Sequence, residues 1–401
     1  MTKVYHTSMD RTIEVGRIID SIIGDPDGPT VIFIGGIHGN ESSGVFALFD
    51  VFKQLREKPI PFGGNIYGIA GNLPALEAGK RYFTEDLNRL WTSEYMNVLD
   101  ERTFPKTHIE KREQVYIFRT LQEIMKSHQG PFYFMDMHST SSESIPFLVV
   151  NDSLLNRKFT EQFPLPMILG IEEYLEGPIL SYINELGYVS FGFEAGQHDD
   201  LASYQNQIAF IYLCLVYTNC VDREDVEYYH YYEQLAKNSI RAKDIYEIRH
   251  RLQLNDKDAF EMKPGFVNFQ RVTKGQLLAK KNGEKIKASS TGRIFMPLYQ
   301  NQGGEGFFEI SGVHPFFLKL SAILRKTNFA HILPFLPGIR WRSAKHDALV
   351  LNLKIARFFT KPFLHLLGYR SRQMDQTHLV VKNREAASKK EDYSASWNRN
   401  T

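Results

Sequence analysis

T-V-I-F-I-G-G-I-H-G-N-E, residues 30–41, is the stretch that decides the fold of this chain. Its first five residues form a β-branched and aromatic run typical of a buried strand, and the glycines at 35 and 36 indicate a tight turn. From Glu41 to Arg56 apolar residues recur three and four positions apart, which predicts a helix. Strand, turn and helix in this order are typical of an α/β protein.

The same pattern recurs up to about residue 242. Periodicity predicts strands near 65–70, 132–137, 147–150 and 188–193, and helices near 111–128 and 178–186. This alternation predicts an α/β domain over 1–242, with a mostly parallel central sheet and flanking helices. The uncharged run 201–221 is long enough to cross a bilayer. Its internal polar residues, and the acidic residues on both sides of it, favour a buried core helix instead.

Two further regions follow. From 243 to 318 short runs alternate with turn signals every eight to eleven residues, which predicts a small β-rich domain. From 319 to 401 the sequence is a basic, amphipathic extension with 16 Lys and Arg against 5 Asp and Glu, a charge of +11 against −9 for the rest. We expect the polar part after Asn383 to be disordered.

Composition limits the class of protein. The chain has 401 residues, 43% of them hydrophobic and 23% charged, which is typical of a globular protein and excludes a collagenous or mostly disordered chain. Two cysteines, Cys214 and Cys220, are too few for a disulfide framework or an all-thiolate metal site. With no secretory signal near the N-terminus, we expect a cytoplasmic protein; a homo-oligomer stays open.

Three strand ends carry residues suited to metal-assisted hydrolysis. His38 and Glu41 lie just beyond the first strand, at the edge where open α/β sheets place their sites. His138 follows the strand at 132–137 and projects from the same edge. Imidazole and carboxylate groups are zinc ligands, and a catalytic zinc usually has three protein ligands. A water on such a zinc needs a nearby carboxylate as base, and Glu194, after the strand at 188–193, is the candidate.

From about Thr30 to Val313 the chain resembles the succinylglutamate desuccinylase/aspartoacylase family, which has a zinc carboxypeptidase-like fold. The matching segments are G-G-I-H-G-N-E at 35–41, G-N-L-P-A at 71–75, R-Y-F-T-E-D-L-N-R at 81–89, D-M-H-S-T at 136–140, F-E-A-G at 193–196 and M-P-L-Y-Q-N-Q at 296–302. The resemblance implies one Zn²⁺ per chain, bound by the two histidines and Glu41, with Glu194 as base and acid.

The resemblance also implies that Arg81 stabilises the oxyanion, that Asn88 and Arg89 bind the substrate carboxylate, and that the β-rich domain caps the active site. The chain departs from the acylaspartate-specific pattern in two places. It has no Arg or Lys between 180 and 193, and it has G-G-E-G at 303–306 where aspartoacylase brings a tyrosine to the substrate. A dicarboxylic amino-acid product is therefore disfavoured, since a buried carboxylate needs a cationic partner.

These observations predict a zinc-dependent deacylase for an N-acyl amino acid or a similar small amide. Two alternatives remain: a zinc carboxypeptidase or peptide amidase with the same metal site, and a non-catalytic binding or membrane-associated protein with a vestigial pocket. For the basic extension, three hypotheses stay open. It packs on the protein's own acidic body, it attaches peripherally to an anionic membrane surface, or it binds nucleic acid, which its many large apolar residues disfavour.

Overall fold

The computed structural model describes residues 1–92, 95–96, 99, 108–237, 244–255, 257–342, 348–352, 354–355, 361–373 and 378–397. The strands within these ranges are β1 (Thr2–His6), β2 (Arg11–Val15), β3 (Ile18–Ile23), β4 (Thr30–Gly35), β5 (Asn65–Ala70), β6 (Phe132–Thr140), β7 (Phe147–Val150), β8 (Met167–Leu169), β9 (Val189–Gln197), β10 (Ile245–Gln253), β11 (Phe260–Met262), β12 (Arg271–Val272), β13 (Leu277–Lys281), β14 (Glu284–Lys287), β15 (Gly292–Phe295), β16 (Glu305–Gly312), β17 (Ile339–Trp341), β18 (Ala348–Asn352), β19 (Tyr369–Gln373) and β20 (His378–Asn383).

The helices alternate with these strands in the first half of the chain and return near its end. They are α1 (Ser43–Glu57), α2 (Leu73–Ala78), α3 (Ile109–Ser127), α4 (Leu154–Thr160), α5 (Ile179–Glu185), α6 (Leu201–Tyr217), α7 (Tyr228–Lys237), α8 (Pro315–Lys326), α9 (Lys361–Leu366) and α10 (Lys390–Trp397). Short 3₁₀ helices cover Leu87–Arg89, Ile171–Glu173, Arg223–Asp225 and Asn328–Phe335.

One large sheet contains eleven of the described strands, in the order β12-β15-β16-β10-β8-β7-β9-β6-β4-β5-β3. Its centre, β5-β4-β6-β9, is parallel. β7 runs antiparallel to β9, β3 runs antiparallel to β5, and the strands beyond β10 are antiparallel too. Within the predicted domain, 1–242, four of the six pairings between described strands of this sheet are parallel and two are antiparallel, so the prediction of a mostly parallel sheet is right there. The antiparallel strands β16, β15 and β12 make the sheet as a whole mixed. A run of buried apolar residues indicates that both faces of a strand are covered. It does not indicate whether the strand runs parallel or antiparallel to its neighbours.

Helices cover both faces of this sheet. In β4, Val31 and Phe33 point to one core, which they share with α1 and α6, while Ile32 and Ile34 point to another, shared with α3 and α5. Successive side chains of a strand face opposite ways, so an all-apolar strand requires a cover on each side. The predicted α/β fold with flanking helices is confirmed.

The uncharged helix α6 belongs to the interior. Its side chains from Ala209 to Leu215 are buried, and Cys214 and Cys220 are buried free thiols. No helix among the described residues combines the length and the apolar character that a membrane crossing requires.

The β-rich region from 244 to 314 continues the central sheet. β10 pairs in parallel with β8 and antiparallel with β16, so the sheet runs without a break from the α/β region into this one. A separate three-stranded sheet, β11-β13-β14, packs beside it. This continuity places the loop between β15 and β16 at the same sheet edge as the ends of β4 and β6.

The described residues of the C-terminal region, between 315 and 397, are folded. Strands β17, β18, β20 and β19 form a four-stranded sheet with its own apolar core, which includes Leu333, Leu349 and Tyr369. The predicted disorder after Asn383 is wrong for residues 384–397, which contain α10 and its buried Tyr393. Composition is a poor guide here, because one buried aromatic side chain, that of Tyr393, can fix a helix whose other residues are mostly polar. Phe358 and Phe359, also assigned to this amphipathic extension, lie outside the described residues.

A buried charge network joins this region to the α/β body. Asp152, just beyond β7, contacts the Nε of Arg157, the Nη2 of Arg325 at 2.7 Å and the Nη1 of Arg384 at 2.9 Å. Burial alone would raise the pKa of Asp152, but the three guanidinium groups hold it well below its usual range. Arg384 also reaches Glu173. Packing on the protein's own acidic body, the first of the three hypotheses for the extension, thus has direct contacts to support it.

We expect Asp152→Ala to lower the free energy of unfolding by about 3–5 kcal/mol, because it strips buried guanidinium groups of a shared carboxylate. Urea denaturation followed by circular dichroism measures the change. The exposed Asp225 provides the control, and Asp225→Ala should change stability by no more than about 0.5 kcal/mol. Equal stability of the two variants would show that the network does not hold the C-terminal region in place.

Candidate functional site

The site lies at the carboxyl edge of the parallel strands β4, β6 and β9. His38 and Glu41 occupy the turn between β4 and α1, where Gly36 has a φ of +73° and a Cβ would lie 2.8 Å from Leu76. His138 lies near the end of β6 and pairs in register with Glu194 of β9. Because parallel strands end at one edge, residues far apart in sequence are brought together here.

The three predicted metal ligands converge. The Nδ1 of His38 lies 2.9 Å from Oε1 of Glu41, and the Nδ1 of His138 lies 3.0 Å from its Oε2. One ligand atom from each of the three residues lies within 4.8 Å of the others, and all three side chains are buried. Two imidazole nitrogens and a carboxylate directed at one point form a donor set that can hold a metal ion.

A second carboxylate fixes each imidazole from behind. Oδ2 of Asp136 lies 2.7 Å from Nε2 of His138, and Oδ1 of Asp86 lies 3.0 Å from Nε2 of His38. Such partners orient a ligating ring and place its proton on the nitrogen away from the metal. Sequence reasoning missed Asp136. The available signal was its position two residues before His138 on one strand, which puts both side chains on the same face.

The electrostatics of the site suit a cation. Burial alone would raise the pKa of Glu41, but His38 and His138 hold it well below its usual range. Burial likewise opposes a charged His138, yet Asp136 and Glu41 hold its pKa well above the ordinary value. Buried carboxylates concentrated around two imidazoles need positive charge nearby, and Oδ1 of Asp136 has no hydrogen-bond partner among the described residues. A divalent ion fits this donor set.

Glu194 differs from the other carboxylates of the site. Burial raises its pKa to about 8, with Glu41 and Asp136 adding to the rise and His138 and Arg81 opposing it. Its Oε2 is buried and has no hydrogen-bond partner in the described part of the chain. A carboxyl group whose proton is neither tightly held nor fully lost near neutral pH is suited to general acid and base chemistry.

Arg81 reaches the site from the loop that precedes the 3₁₀ helix at 87–89. Its Nη1 donates to Oε1 of Glu41 at 3.2 Å, and its Nη2 donates to Oδ2 of Asp86 at 3.1 Å. The guanidinium group is therefore held beside the proposed metal ligands and lines the adjoining cavity. This placement is consistent with the predicted oxyanion role, which stays a prediction.

Asn88 and Arg89 line the same cavity, but both already have partners. The Nδ2 of Asn88 donates to Asp136 at 3.1 Å, and its Oδ1 accepts from the backbone of Ile179 at 2.9 Å. Nη2 of Arg89 donates to Oε2 of Glu305 at 3.1 Å. The amide of Asn88 thus positions Asp136, and its predicted substrate contact, like that of Arg89, stays a prediction.

The β-rich region contributes one wall of the site. Glu305, at the start of β16, pairs with Arg89 and lies 4.0 Å from Arg251. Gln300 accepts from Asn40 at 2.9 Å and lies 3.3 Å from Nε2 of His198. Sequence reasoning did not find the pairing of Glu305 with Arg89, because it joins residues 216 positions apart.

The resulting cavity has a volume of about 130 Å³. Polar groups from the metal ligands, Arg81 and Glu194 form part of its wall. The apolar side chains that complete the wall are Val149, Ile171, Leu175, Pro178, Leu180, Met296, Leu298 and Phe308. A space of this size and character accepts a small molecule with an uncharged, apolar part.

Comparison with known proteins finds relatives of the part of the chain that contains this site. Residues 27–212 match the model of the succinylglutamate desuccinylase/aspartoacylase catalytic domain. A succinylglutamate desuccinylase from Photorhabdus laumondii is 37% identical over 68 residues, which are 17% of this chain and 21% of that protein. One from Burkholderia lata is 27% identical over 117 residues, which are 29% of this chain and 32% of that protein.

A solved structure extends the likeness at the level of the fold. The succinylglutamate desuccinylase/aspartoacylase from Rhodobacter sphaeroides superimposes with a TM-score of 0.55 and 15% sequence identity, covering 78% of this chain and 94% of that one. This chain therefore has the mixed α/β fold of that protein. Residues 27–212, just under half of this chain, are therefore similar to the catalytic domain of the succinylglutamate desuccinylase/aspartoacylase family.

Proposed function

We propose that this protein is a zinc-dependent hydrolase that removes the acyl group from a small N-acyl amino acid with a neutral side chain. The observation that carries the proposal is that the Nδ1 atoms of His38 and His138 each lie within hydrogen-bond distance of a different carboxylate oxygen of Glu41. Glu194 lies in register beside His138. The similarity of residues 27–212 to a catalytic domain of amide hydrolases supports the same class of reaction.

His38, Glu41 and His138 are the residues that would hold the zinc. Bound zinc supplies Lewis-acid polarisation of the substrate carbonyl and lowers the pKa of a coordinated water. Asp86 and Asp136 keep the two imidazoles in the orientation that this requires, since each bonds the ring nitrogen opposite Glu41.

Glu194 moves the proton. As a carboxylate, it accepts a proton from the attacking water at its free Oε2, and as an acid it returns that proton to the nitrogen of the leaving amine. Burial favours its neutral form, so the proton is retained long enough to reach the nitrogen rather than escaping to solvent.

Arg81 stabilises the negative charge that develops on the carbonyl oxygen. A guanidinium group that Asp86 holds beside the site needs little rearrangement as that charge appears. Its charge is permanent, so this contribution does not depend on pH over the working range.

The wall of the cavity supports a neutral, preferably apolar, amino-acid side chain. No Arg or Lys occurs between 180 and 193 to pair with a second carboxylate. Glu305 in addition places a negative charge against Arg89, which disfavours a second acidic group on the substrate. Arg251, at 4.0 Å, shares Glu305, so the cluster of two arginines and one glutamate keeps a net positive charge for a single carboxylate.

The rival hypotheses are less well supported. A carboxypeptidase or peptide amidase needs a cleft that admits a polypeptide, whereas Gln300 and Glu305 of the β-rich region contact Asn40 and Arg89 and narrow the site. A vestigial, non-catalytic pocket would not be expected to keep both outer carboxylates, the free Glu194 oxygen and Arg81 together.

The first prediction from the proposed function concerns the metal. We expect the purified protein to bind about one zinc per chain, and His38→Ala or His138→Ala to lose most of it, because two remaining ligands do not form a stable site. Metal analysis after dialysis measures this. His198 lines the same cavity without joining the ligand set, so His198→Ala should keep its zinc. Full retention in both ligand variants would contradict the assignment.

The second prediction separates metal binding from chemistry. Glu194→Gln keeps the shape and the zinc but cannot shuttle a proton, so kcat should fall by about 10²–10⁴. Zinc content and single-turnover kinetics measured on one preparation distinguish the two effects. The exposed Glu143 gives a matched control, and Glu143→Gln should retain normal turnover. Near-normal turnover of Glu194→Gln would remove this residue as the base.

The third prediction concerns selectivity. N-acetyl derivatives of neutral amino acids such as methionine should be hydrolysed with kcat/KM at least equal to that for N-acetylaspartate. Glu305→Gln should raise the relative kcat/KM for N-acetylaspartate about tenfold, equivalent to ~1.4 kcal/mol, because it removes a repulsive charge and frees Arg89. Glu261→Gln, at the exposed position of β11, is the control. A strong acylaspartate preference in the unaltered protein would overturn this selectivity.

A further inference from the structure

Large apolar side chains are exposed in one short segment of the C-terminal region. Six of the seventeen exposed large hydrophobic residues in the described part of the chain lie between 316 and 336. They are Phe316, Phe317, Ile323, Ile332, Phe335 and Leu336. Phe335 is 87% exposed. Single exposed apolar residues are ordinary, but such a concentration marks an interaction surface.

Helix α8 has two distinct faces. On the inner face, Ser321 is buried and Arg325 bonds Asp152, while Leu318 packs against the main core. On the outer face, Phe316 and Ile323 are seven positions apart, about two turns, and Lys319 and Lys326 flank them on the same side. The outer face is therefore a stripe of apolar and basic side chains directed to solvent.

The 3₁₀ helix at 328–335 extends this stripe. Leu333 is buried in the core of the C-terminal region, and Leu324 of α8 packs against the same core. The two helices therefore rest on one core. Ile332 and Phe335, on the other side of the 3₁₀ helix, face solvent. We call the exposed residues Phe316, Lys319, Ile323, Lys326, Ile332 and Phe335 the basic apolar face.

The segment that contains this face carries formal charges of a single sign. From 315 to 342 the sequence contains five basic residues, Lys319, Arg325, Lys326, Arg340 and Arg342, and no Asp or Glu. A symmetric contact with a second copy would bring like charges together as it buried the apolar residues. An anionic surface with an apolar interior neutralises the lysines and accepts the aromatic and aliphatic groups in one step.

We propose that the basic apolar face docks on the surface of a bilayer that contains anionic lipid. Phe335 and Ile323 enter the boundary between headgroups and acyl chains, while Lys319 and Lys326 lie at the level of the lipid phosphates. The Asp152 network holds α8 against the α/β body, so the whole enzyme is brought to the membrane as one unit. This attachment is independent of the proposed reaction.

The test is sedimentation of the full-length protein with phosphatidylcholine vesicles, with and without phosphatidylglycerol, at low and high salt. We expect binding to the anionic vesicles alone, and weaker binding at high salt, because the attraction to the headgroups is screened. The paired variants Lys319→Glu/Lys326→Glu and Ile323→Ser/Phe335→Ser should each bind at least about tenfold more weakly. Thermal melting should be unchanged, since the four residues are exposed or half-exposed to solvent.

Two matched controls make the same kinds of substitution at exposed positions outside the basic apolar face. Lys280→Glu/Lys285→Glu reverses two cross-strand lysines on β13 and β14, and Ile23→Ser removes an exposed apolar residue from β3. Both should bind like the unaltered protein. Equal binding by the face variants and the controls, or no sedimentation with anionic vesicles, overturns the proposal. So does a dimer in analytical ultracentrifugation that Ile323→Ser/Phe335→Ser dissociates, since the face would then join two copies.

Discussion

The carboxylate of Glu41, shared between two histidines, is the interaction on which the site depends. Each of its oxygens lies about one hydrogen-bond length from an Nδ1 atom, at 2.9 Å for His38 and 3.0 Å for His138. This arrangement requires the end of β4 to lie beside His138, and the parallel register provides this by pairing Gly35, the last residue of β4, with Met137. The same register between β6 and β9 sets Glu194 beside His138. The parallel centre of a mixed sheet is thus the part of the fold that the chemistry requires.

The buried charge of the site explains why its outer parts are so closely connected. Removing several carboxylates from water is costly unless cations or hydrogen-bond donors compensate. Asp86 contacts Arg81 and His38, Asp136 contacts Asn88 and His138, and each of these contacts also orients a group of the proposed site. Compensation of charge and positioning of the reacting groups are therefore achieved by the same bonds.

The sequence predicts the central strands and the converging ligands because both depend on local rules. Apolar periodicity locates β4, β5, β6 and β9 within a few residues, and the rule for strand ends then groups His38, His138 and Glu194. What it does not predict depends on distant pairs. The direction of β7 relative to β9 and the bond between Arg89 and Glu305 leave no periodic signal. The four-stranded C-terminal sheet was missed because its strands are short and interrupted by basic residues.

The C-terminal region contacts β6 and β9 at their amino ends, opposite to the ends that carry His138 and Glu194. The hydroxyl of Tyr393 donates to the carbonyl of Phe132, the first residue of β6, and accepts from the backbone of Val189, the first residue of β9, at 2.9 Å. Its ring packs edge-on against Tyr133, with centroids 5.1 Å apart. One buried side chain therefore ties together the starts of the two strands whose ends carry His138 and Glu194. Since a strand is rigid along its length, fixing the start of each strand limits how far the ends can shift against each other. A region that composition describes as a polar tail is in this way part of the support that keeps Glu194 beside His138.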